Sequence, residues 1–367
     1  MTEDHMMHCF AGDEQRYITG AAVTELDGVP HVVGLNDRGV VQKWALPDGE
    51  SAVVPLDLPA AAPEDEWYYE QGWEEGDDFG DPNAKVPAGH IVAVMTVTRL
   101  DGRPVVVTGG NEHDLSSHTG DADMYAGAVR VWDLRTGRKV GKVMAGDDPA
   151  DGAVGAVCSL AVVPSKAGPI AVSSSESGLL QAWNLLTNEL GAYAVTTGEN
   201  GVMGAATIGG RPIAVTGGES RTLEAWDLLS GERFGALMQG VRPAAQAIAV
   251  IELEGRAVAV VGGDDPTIQV WEVGQEEPIG LALAGHTSGV TDLTTAWVRG
   301  RAIVVSGSDD DTTRVWDLAS GEQIGEPLMS AMSLTVAEVG GVPVLVTGHA
   351  DATVRVWDLS FAGAHRP

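Results

Sequence analysis

Short segments in which apolar and polar residues alternate recur along the chain, and each segment carries a tryptophan. Alternation at every second residue is the period of a β-strand with two different faces. Seven such segments are present, and a Ser-Gly-Glu turn follows some of them, as at 230–232 and 320–322. Their tryptophans are Trp44, Trp132, Trp183, Trp226, Trp271, Trp316 and Trp357.

A second kind of segment precedes the tryptophan segments, and it is apolar almost throughout. Examples are the stretches 104–110, 212–218, 257–263, 302–308 and 343–349. Continuous apolar runs of this length are typical of strands that are buried on both faces. The sequence therefore predicts an all-β chain that is built from a repeated group of strands, with almost no helix.

The spacing of the tryptophans is that of a repeat protein. Successive tryptophans are 41 to 51 residues apart, except for the interval of 88 residues between Trp44 and Trp132. The repeat, as at Val315-Trp316-Asp317-Leu318 followed by Ser320-Gly321-Glu322, resembles the WD40 family of β-propellers and, in its details, the actinobacterial repeats of that family. The resemblance covers nearly the whole chain. It implies blades of four antiparallel strands around a central channel.

The long interval determines the predicted number of blades. Only one further apolar strand, at 102–110, lies inside it, so we interpret the interval as one blade with two insertions. The prediction is a single domain over 1–367 with seven blades, in which blade two carries an acidic aromatic insertion at 59–89 and a polar insertion at 111–126. Both insertions are expected on the top face, where the loops before the tryptophan strands also lie.

The chain ends on a tryptophan strand, and its beginning supplies a candidate partner for that strand. Residues 6–10 resemble an outer strand elsewhere in the repeat, so we expect them to pair with 354–359 and to close the ring. Closure would remove an exposed sheet edge that could otherwise pair with another chain.

The resemblance also implies a hydrogen-bonded tetrad in each complete blade. Blade six has the four residue types of the tetrad: His286, Ser306, Asp310 and Trp316. A Ser/His/Asp set could indicate a hydrolase, but we interpret this one as a structural network that fixes a loop. The Asp also appears at Asp265 and Asp351, whereas Arg38, Ser177 and Ser220 occupy its position in three other blades.

Acidic residues recur seven positions before the repeat tryptophans, in loops that the resemblance places on the top face. They are Asp37, Glu176, Glu219, Asp264 and Asp309, and Ala350 takes this position in blade seven. They could be ordinary solvated loop residues or an electrostatic funnel for a cationic partner. The formal net charge of −30 argues against nucleic acid and anionic membrane as partners.

The two insertions carry the other candidate residues. The first has Trp67, Tyr68, Tyr69 and Trp73 among many carboxylates; these rings could pack the insertion onto the propeller or bind an ammonium or guanidinium group. The second contains His113, Asp114, His118, Asp121 and Asp123. It could be a polar loop or could hold an ion, although it fits no strong zinc or calcium pattern. We expect no cofactor.

Two functions remain open. The leading hypothesis is a non-catalytic binding scaffold that presents an acidic, aromatic-rich top face to a basic protein segment or cationic small molecule. The alternative is an enzyme or small-molecule binder acting on an amine-containing substrate at the channel mouth, with His113, Asp114 and His118 as acid–base candidates. Since no apolar run reaches the ~18 residues of a membrane span and no signal peptide is evident, we expect a cytoplasmic bacterial protein and a monomer.

Overall fold

The structure is a computed structural model, and it describes residues 6–11, 17–37, 39–46, 51–54, 91–113, 125–145, 156–195, 201–242 and 244–363. The predicted insertion at 59–89 and residues 114–124 of the second insertion lie outside these ranges. At the margins of several ranges only the backbone is described.

The described strands form seven antiparallel sheets of four strands each, so the predicted all-β fold with seven blades is confirmed. We call the strands of each blade a to d from the channel outward. Blade one contains β2 (Ile18–Leu26), β3 (Val29–Asn36), β4 (Val41–Ala45) and β5 (Ser51–Val54); blade two contains β6 (Ile91–Leu100), β7 (Arg103–His113), β8 (Tyr125–Asp133) and β9 (Met144–Ala145); blade three contains β10 (Val157–Val163), β11 (Ile170–Ser175), β12 (Leu179–Asn184) and β13 (Glu189–Val195).

The remaining blades repeat this order, except that the first strand of the chain completes the last blade. Blade four contains β14 (Val202–Ile208), β15 (Arg211–Gly217), β16 (Thr222–Asp227) and β17 (Met238–Gln239); blade five contains β18 (Ala245–Leu253), β19 (Arg256–Gly263), β20 (Ile268–Glu272) and β21 (Pro278–Leu283); blade six contains β22 (Val290–Val298), β23 (Arg301–Ser308), β24 (Thr312–Asp317) and β25 (Leu328–Met329); blade seven contains β26 (Ser333–Val339), β27 (Val342–Gly348), β28 (Thr353–Asp358) and β1 (Met6–Ala11).

The hydrophobic core is divided among the interfaces between neighbouring blades. The described residues form seven apolar clusters, and each joins strand b of one blade to the strand c tryptophan of the next. For example, Val260 of blade five and Trp316 of blade six share a cluster, and Trp316 is 1% exposed. Because both faces of each sheet are covered in this way, strand b is apolar almost throughout, as its sequence indicates.

The N-terminal strand β1 joins the two ends of the chain. It pairs with β28 along its length, with Cys9 opposite Arg355 and Phe10 opposite Val354. Phe10 also stacks on Trp44 of blade one, with 6.3 Å between ring centroids, and the Trp44 indole N–H donates to the carbonyl of Ala11 at 3.3 Å. Strand β1 is thus the outer strand of blade seven and also covers the tryptophan of blade one.

The β7–β8 hairpin of blade two extends into the predicted second insertion. Asn111 pairs with Gly127, Glu112 with Ala126, and His113 with Tyr125, so these residues continue the strands where a loop was expected. These residues are directly opposite one another, so the antiparallel hydrogen-bonding pattern of the two strands continues past the length of strand b in the other blades. Only 114–124 lies between the two strands.

The contact between blades one and seven predicts the effect of a single substitution in β1. Phe10 is 7% exposed and belongs to the cluster that joins these blades, so Phe10→Ala should lower the free energy of unfolding by about 3–5 kcal/mol. Met7 on the same strand is 44% exposed, and Met7→Ala should change it by less than about 0.5 kcal/mol. Urea titration of the two variants measures both values. Equal stabilities would show that β1 does not hold the ring closed.

Candidate functional site

The turns between strands b and c carry the five predicted acidic residues, and all five are exposed. We call this end of the ring the top. The amides of Asp37, Glu176 and Asp309 each donate at 3.0 Å to the carbonyl of the residue next to the start of strand a: Tyr17, Ala156 and Gly289, respectively. These bonds fix the turns against the strands that line the channel. In blades one, three and six the turn that carries the acidic residue is therefore attached to the residue before strand a of the same blade.

Some carboxylates at the opposite end of the ring are paired with arginine. Asp27 accepts from Arg135 at 2.6 Å, and this contact joins blades one and two. The hydrogen bond and charge of Arg135 lower the pKa of Asp27. Arg301 lies 3.2 Å from Asp317, and Asp317 also caps the turn between strands c and d through the amides of Ala319 and Ser320. At the bottom end these acids thus stabilise turns and blade contacts.

The predicted tetrad of blade six is present. The Trp316 indole donates to Ser306 Oγ at 2.8 Å, Ser306 Oγ lies 2.7 Å from His286 Nε2, and His286 Nδ1 lies 2.9 Å from Asp310. Because a carboxylate can only accept, Nδ1 carries the proton and Nε2 accepts from Ser306. The result is a chain of donors that runs from Trp316 to Asp310.

The same geometry explains why this set is structural. Ser306 is 0% exposed, and its oxygen already receives the indole N–H, so a substrate carbonyl has no access to it. Burial lowers the pKa of His286, although the bond to Asp310 acts in the opposite direction. Burial alone would raise the pKa of Asp310, but hydrogen bonds from Thr312, Thr287 and His286 hold it below its ordinary value.

Blade seven forms an equivalent network with a histidine that the sequence analysis did not assign. The Trp357 indole donates to Thr347 Oγ1 at 2.9 Å, and Thr347 Oγ1 lies 2.7 Å from His349 Nε2. His349 Nδ1 donates to the carbonyl of Ser330 at 2.7 Å. Both histidines follow a glycine, but His349 follows strand b whereas His286 precedes strand a, so a search restricted to the loop before strand a misses it. The repeated order of tryptophan, hydroxyl and imidazole is the signal that could have found it.

The hydroxyl that accepts the indole N–H differs among the blades. Thr108 accepts from Trp132 at 2.8 Å and Thr216 from Trp226 at 3.2 Å. In blade five the corresponding residue is Val261, and the buried Trp271 indole nitrogen has no hydrogen-bond partner among the described residues. This difference permits a matched pair of substitutions.

Several predicted site residues lie outside the described part of the chain. They are Trp67, Tyr68, Tyr69, Trp73, Asp114, His118, Asp121 and Asp123, and only the backbone of His113 is described. The enzyme alternative therefore stays a prediction. In the ranges that the structure covers, no group of three or more His, Cys, Asp or Glu side chains could hold a metal ion. No described helix is long and apolar enough to cross a membrane.

Comparison with known proteins supports a WD40 β-propeller. Residues 278–317, from strand d of blade five through the tryptophan strand of blade six, match the family model described as WD domain, G-beta repeat. The solved structure titled "Crystal structure of WD40 beta propeller domain of Doa1" is similar, with a TM-score of 0.64, 14% sequence identity and 99% of each chain covered. In all, 1491 chains of solved structures match. No curated protein matches the chain.

Exchanging a hydroxyl and a methyl group in two blades tests the network. Thr347→Val removes the partner of both Trp357 and His349 and should lower the free energy of unfolding by about 1–3 kcal/mol per buried group. Val261→Thr offers Trp271 an acceptor and should leave stability unchanged or raise it by about 1 kcal/mol. Urea titration measures both variants. If both variants lose the same free energy of unfolding, the hydroxyl of strand b does not stabilise the buried tryptophan of strand c.

The histidine of blade seven predicts a pH dependence of stability. Burial, followed by the charge of Arg355, lowers the pKa of His349 to about 4, whereas the unfolded chain binds this proton near pH 6.5. Stability should therefore fall as the pH decreases from 7 towards 4. Asp292 of blade six opposes this, since burial raises its pKa to about 6 and its protonation favours the folded state.

Replacing the titrating ring isolates the contribution of His349. Gln at this position can donate to Ser330 and accept from Thr347 without titrating, so His349→Gln should reduce the loss of stability between pH 7 and pH 5 by up to about 2 kcal/mol. The control His31→Gln changes a partly exposed ring whose Nδ1 lies 2.9 Å from Val29 O. Melting curves at both pH values provide the comparison. If His349→Gln loses as much stability between pH 7 and pH 5 as the wild type does, the pH dependence does not come from His349.

Proposed function

We propose that this protein is a non-catalytic binding scaffold whose acidic top end recognises a basic protein segment. The observation that carries the proposal is the series of five exposed carboxylates, one per blade, at equivalent turns around the channel mouth. WD40 propellers typically serve as protein-interaction scaffolds, which agrees with this role. The proposal places the protein, as a monomer, in a bacterial cytoplasm.

Charge supports a cationic partner. The chain has 22 Lys and Arg against 52 Asp and Glu, so its field repels anions and attracts basic segments at long range. A ring of carboxylates would also accept charge-assisted hydrogen bonds from lysine or arginine. Because the acids are exposed, each contact contributes only about 0.2–1 kcal/mol. Affinity would thus come from several simultaneous contacts and would fall as salt rises.

The chemistry of the buried polar groups supports binding over catalysis. The Ser306–His286–Asp310 set is sealed inside blade six, and Ser306 accepts the tryptophan N–H. Burial, followed by the charge of Glu176, raises the pKa of Cys158 to about 11. Its thiol is therefore protonated at neutral pH and is a weak nucleophile.

The aromatic insertion would add to the same surface. The segment 59–89 connects β5, which ends at Val54, to β6, which begins at Ile91. Connections from strand d to strand a of the next blade meet the ring at its top end. We propose that Trp67, Tyr68, Tyr69 and Trp73 supply cation–π contacts to the same basic partner or to a cationic small molecule.

Neutralising the top acids tests the proposal. A variant with Asp37, Asp264 and Asp309 changed to Asn and with Glu176 and Glu219 changed to Gln should bind a labelled peptide of arginine, lysine and serine at least about fivefold more weakly. This follows from five contacts of about 0.2–1 kcal/mol each. Fluorescence anisotropy at low and physiological salt measures the affinities.

The control removes the same charge from the bottom turns. It changes exposed residues there to Asn or Gln: Asp101, Glu189, Glu232, Glu277 and Glu322. This variant has the same net charge as the first and should keep the wild-type affinity within about threefold, since only the long-range field is altered. Equal weakening in both variants would mean that net charge alone attracts the peptide and that the top end is not the site.

A further inference from the structure

The series of acidic turns is interrupted at blade seven. Ala350 takes the position of the acid there and is exposed. The next residue, Asp351, is a carboxylate, but Arg355 donates to it at 2.5 Å, so the pair has no net charge. Among the described residues, the turn between strands b and c of blade seven thus carries no net charge, whereas the same turns of blades six and one carry Asp309 and Asp37.

Large apolar side chains are exposed at this interruption. Tyr17 is 52% exposed, Met329 is 59% exposed and Met332 is 49% exposed. Exposed apolar groups that gather at one place, rimmed by polar residues, mark interaction sites. We call Tyr17, Met329, Met332 and Ala350 the apolar notch.

Backbone contacts bring the parts of the notch together. The amide of Ile18, next to Tyr17, donates to the carbonyl of His349 at 3.2 Å, and Met332 N donates to Gly348 O at 2.7 Å. A Cβ on Gly348 would lie 2.6 Å from Ile18 Cγ2 and 2.7 Å from Ser333 Oγ, so the neighbours of Tyr17 and Met332 meet at this glycine.

Two further contacts attach the segment that carries Met329 and Met332 to blade seven. Arg355 Nη1 lies 3.5 Å from the sulfur of Met329, which places this methionine of blade six beside blade seven. His349 Nδ1 donates to the carbonyl of Ser330 at 2.7 Å, so the segment is connected to the buried network. The backbone of the notch is therefore held in place before a partner binds, which reduces the entropy lost on binding.

We infer that the apolar notch binds one apolar side chain of the partner, and that Lys or Arg residues flank this side chain on both sides. The inference rests on the proposed function and adds a specificity to it. Charge complementarity supports the choice of partner, because the neutral notch lies between Asp309 of blade six and Asp37 of blade one. Methionine side chains adapt their shape, so leucine, methionine and phenylalanine should all be accepted.

Two peptides of equal charge test the inference. One has the sequence Lys-Arg-Lys-Leu-Lys-Arg-Lys, and in the other Ser replaces Leu. The wild-type protein should bind the leucine peptide about five- to thirtyfold more tightly at low salt, as expected for partial burial of one leucine. Fluorescence anisotropy provides both dissociation constants.

Variants of the notch locate the preference. Met329→Ser combined with Met332→Ser should bring the two dissociation constants within about twofold of each other, while affinity for the serine peptide stays unchanged. Leu229→Ser is the matched control, since Leu229 is 55% exposed at a bottom turn, and this variant should keep the wild-type preference. Melting curves should be the same for all three proteins, because every substituted side chain is exposed.

The possible failures are distinguishable. If wild type binds both peptides equally, the notch inference is wrong and the acidic scaffold stands. If wild type binds neither peptide even at low salt, the proposed function fails as well. If the leucine preference persists in the double methionine variant, the apolar side chain binds elsewhere and the notch is again overturned.

Discussion

The structure depends on closure of the ring by the pairing of β1 with β28. Each apolar cluster is shared by two blades, so a blade without a neighbour on one side would expose half of its apolar surface. The cluster between blades seven and one contains Phe10 together with Trp44 and Val354, so it needs β1 in place. The pairing of β1 with β28 therefore stabilises the whole ring, because an open ring would leave one apolar face of each terminal blade in water.

Within each blade, the indole N–H of strand c needs a partner when the ring is buried. Blades six and seven satisfy it with the same chain of tryptophan, hydroxyl and imidazole, but they end the chain differently, at the Asp310 carboxylate and at the Ser330 carbonyl. The hydrogen bond from His349 to the Ser330 carbonyl fixes the segment that carries Met332. A buried hydrogen-bond network thereby determines the shape of an exposed surface, and this connects stability to the proposed binding site.

Much of the fold could be predicted from the sequence, because the signal is repeated. The strand period and the tryptophan spacing indicate seven equivalent strands, and the position seven residues before each tryptophan locates the top turns. His349 was not predicted because its position in the chain differs from that of His286. The ends of the β7–β8 hairpin were misplaced because the polar residues 111–113 and 125–126 do not show the apolar pattern of a buried strand.

The apolar notch could not be predicted because exposure depends on neighbours that are distant in sequence. Met332 is 49% exposed, whereas Ala331, the apolar residue before it in the same segment, is only 7% exposed. The pairing of Asp351 with Arg355, which neutralises the carboxylate in this turn, also has no clear sequence signal. Counting back seven residues from each tryptophan therefore predicts the acidic turns and their interruption at Ala350, but not the exposed apolar side chains beside it.

Hydrogen–deuterium exchange of the full chain with and without the Lys-Arg-Lys-Leu-Lys-Arg-Lys peptide tests the central claim, namely that the top end of the ring is the recognition surface. The account predicts slower exchange at the top turns 36–40, 175–178, 218–221, 263–266 and 308–311 and at 329–333, which connects blades six and seven, while the bottom turns 186–189, 229–232 and 319–322 do not change. Slower exchange at the bottom turns, with none at the top, would contradict it.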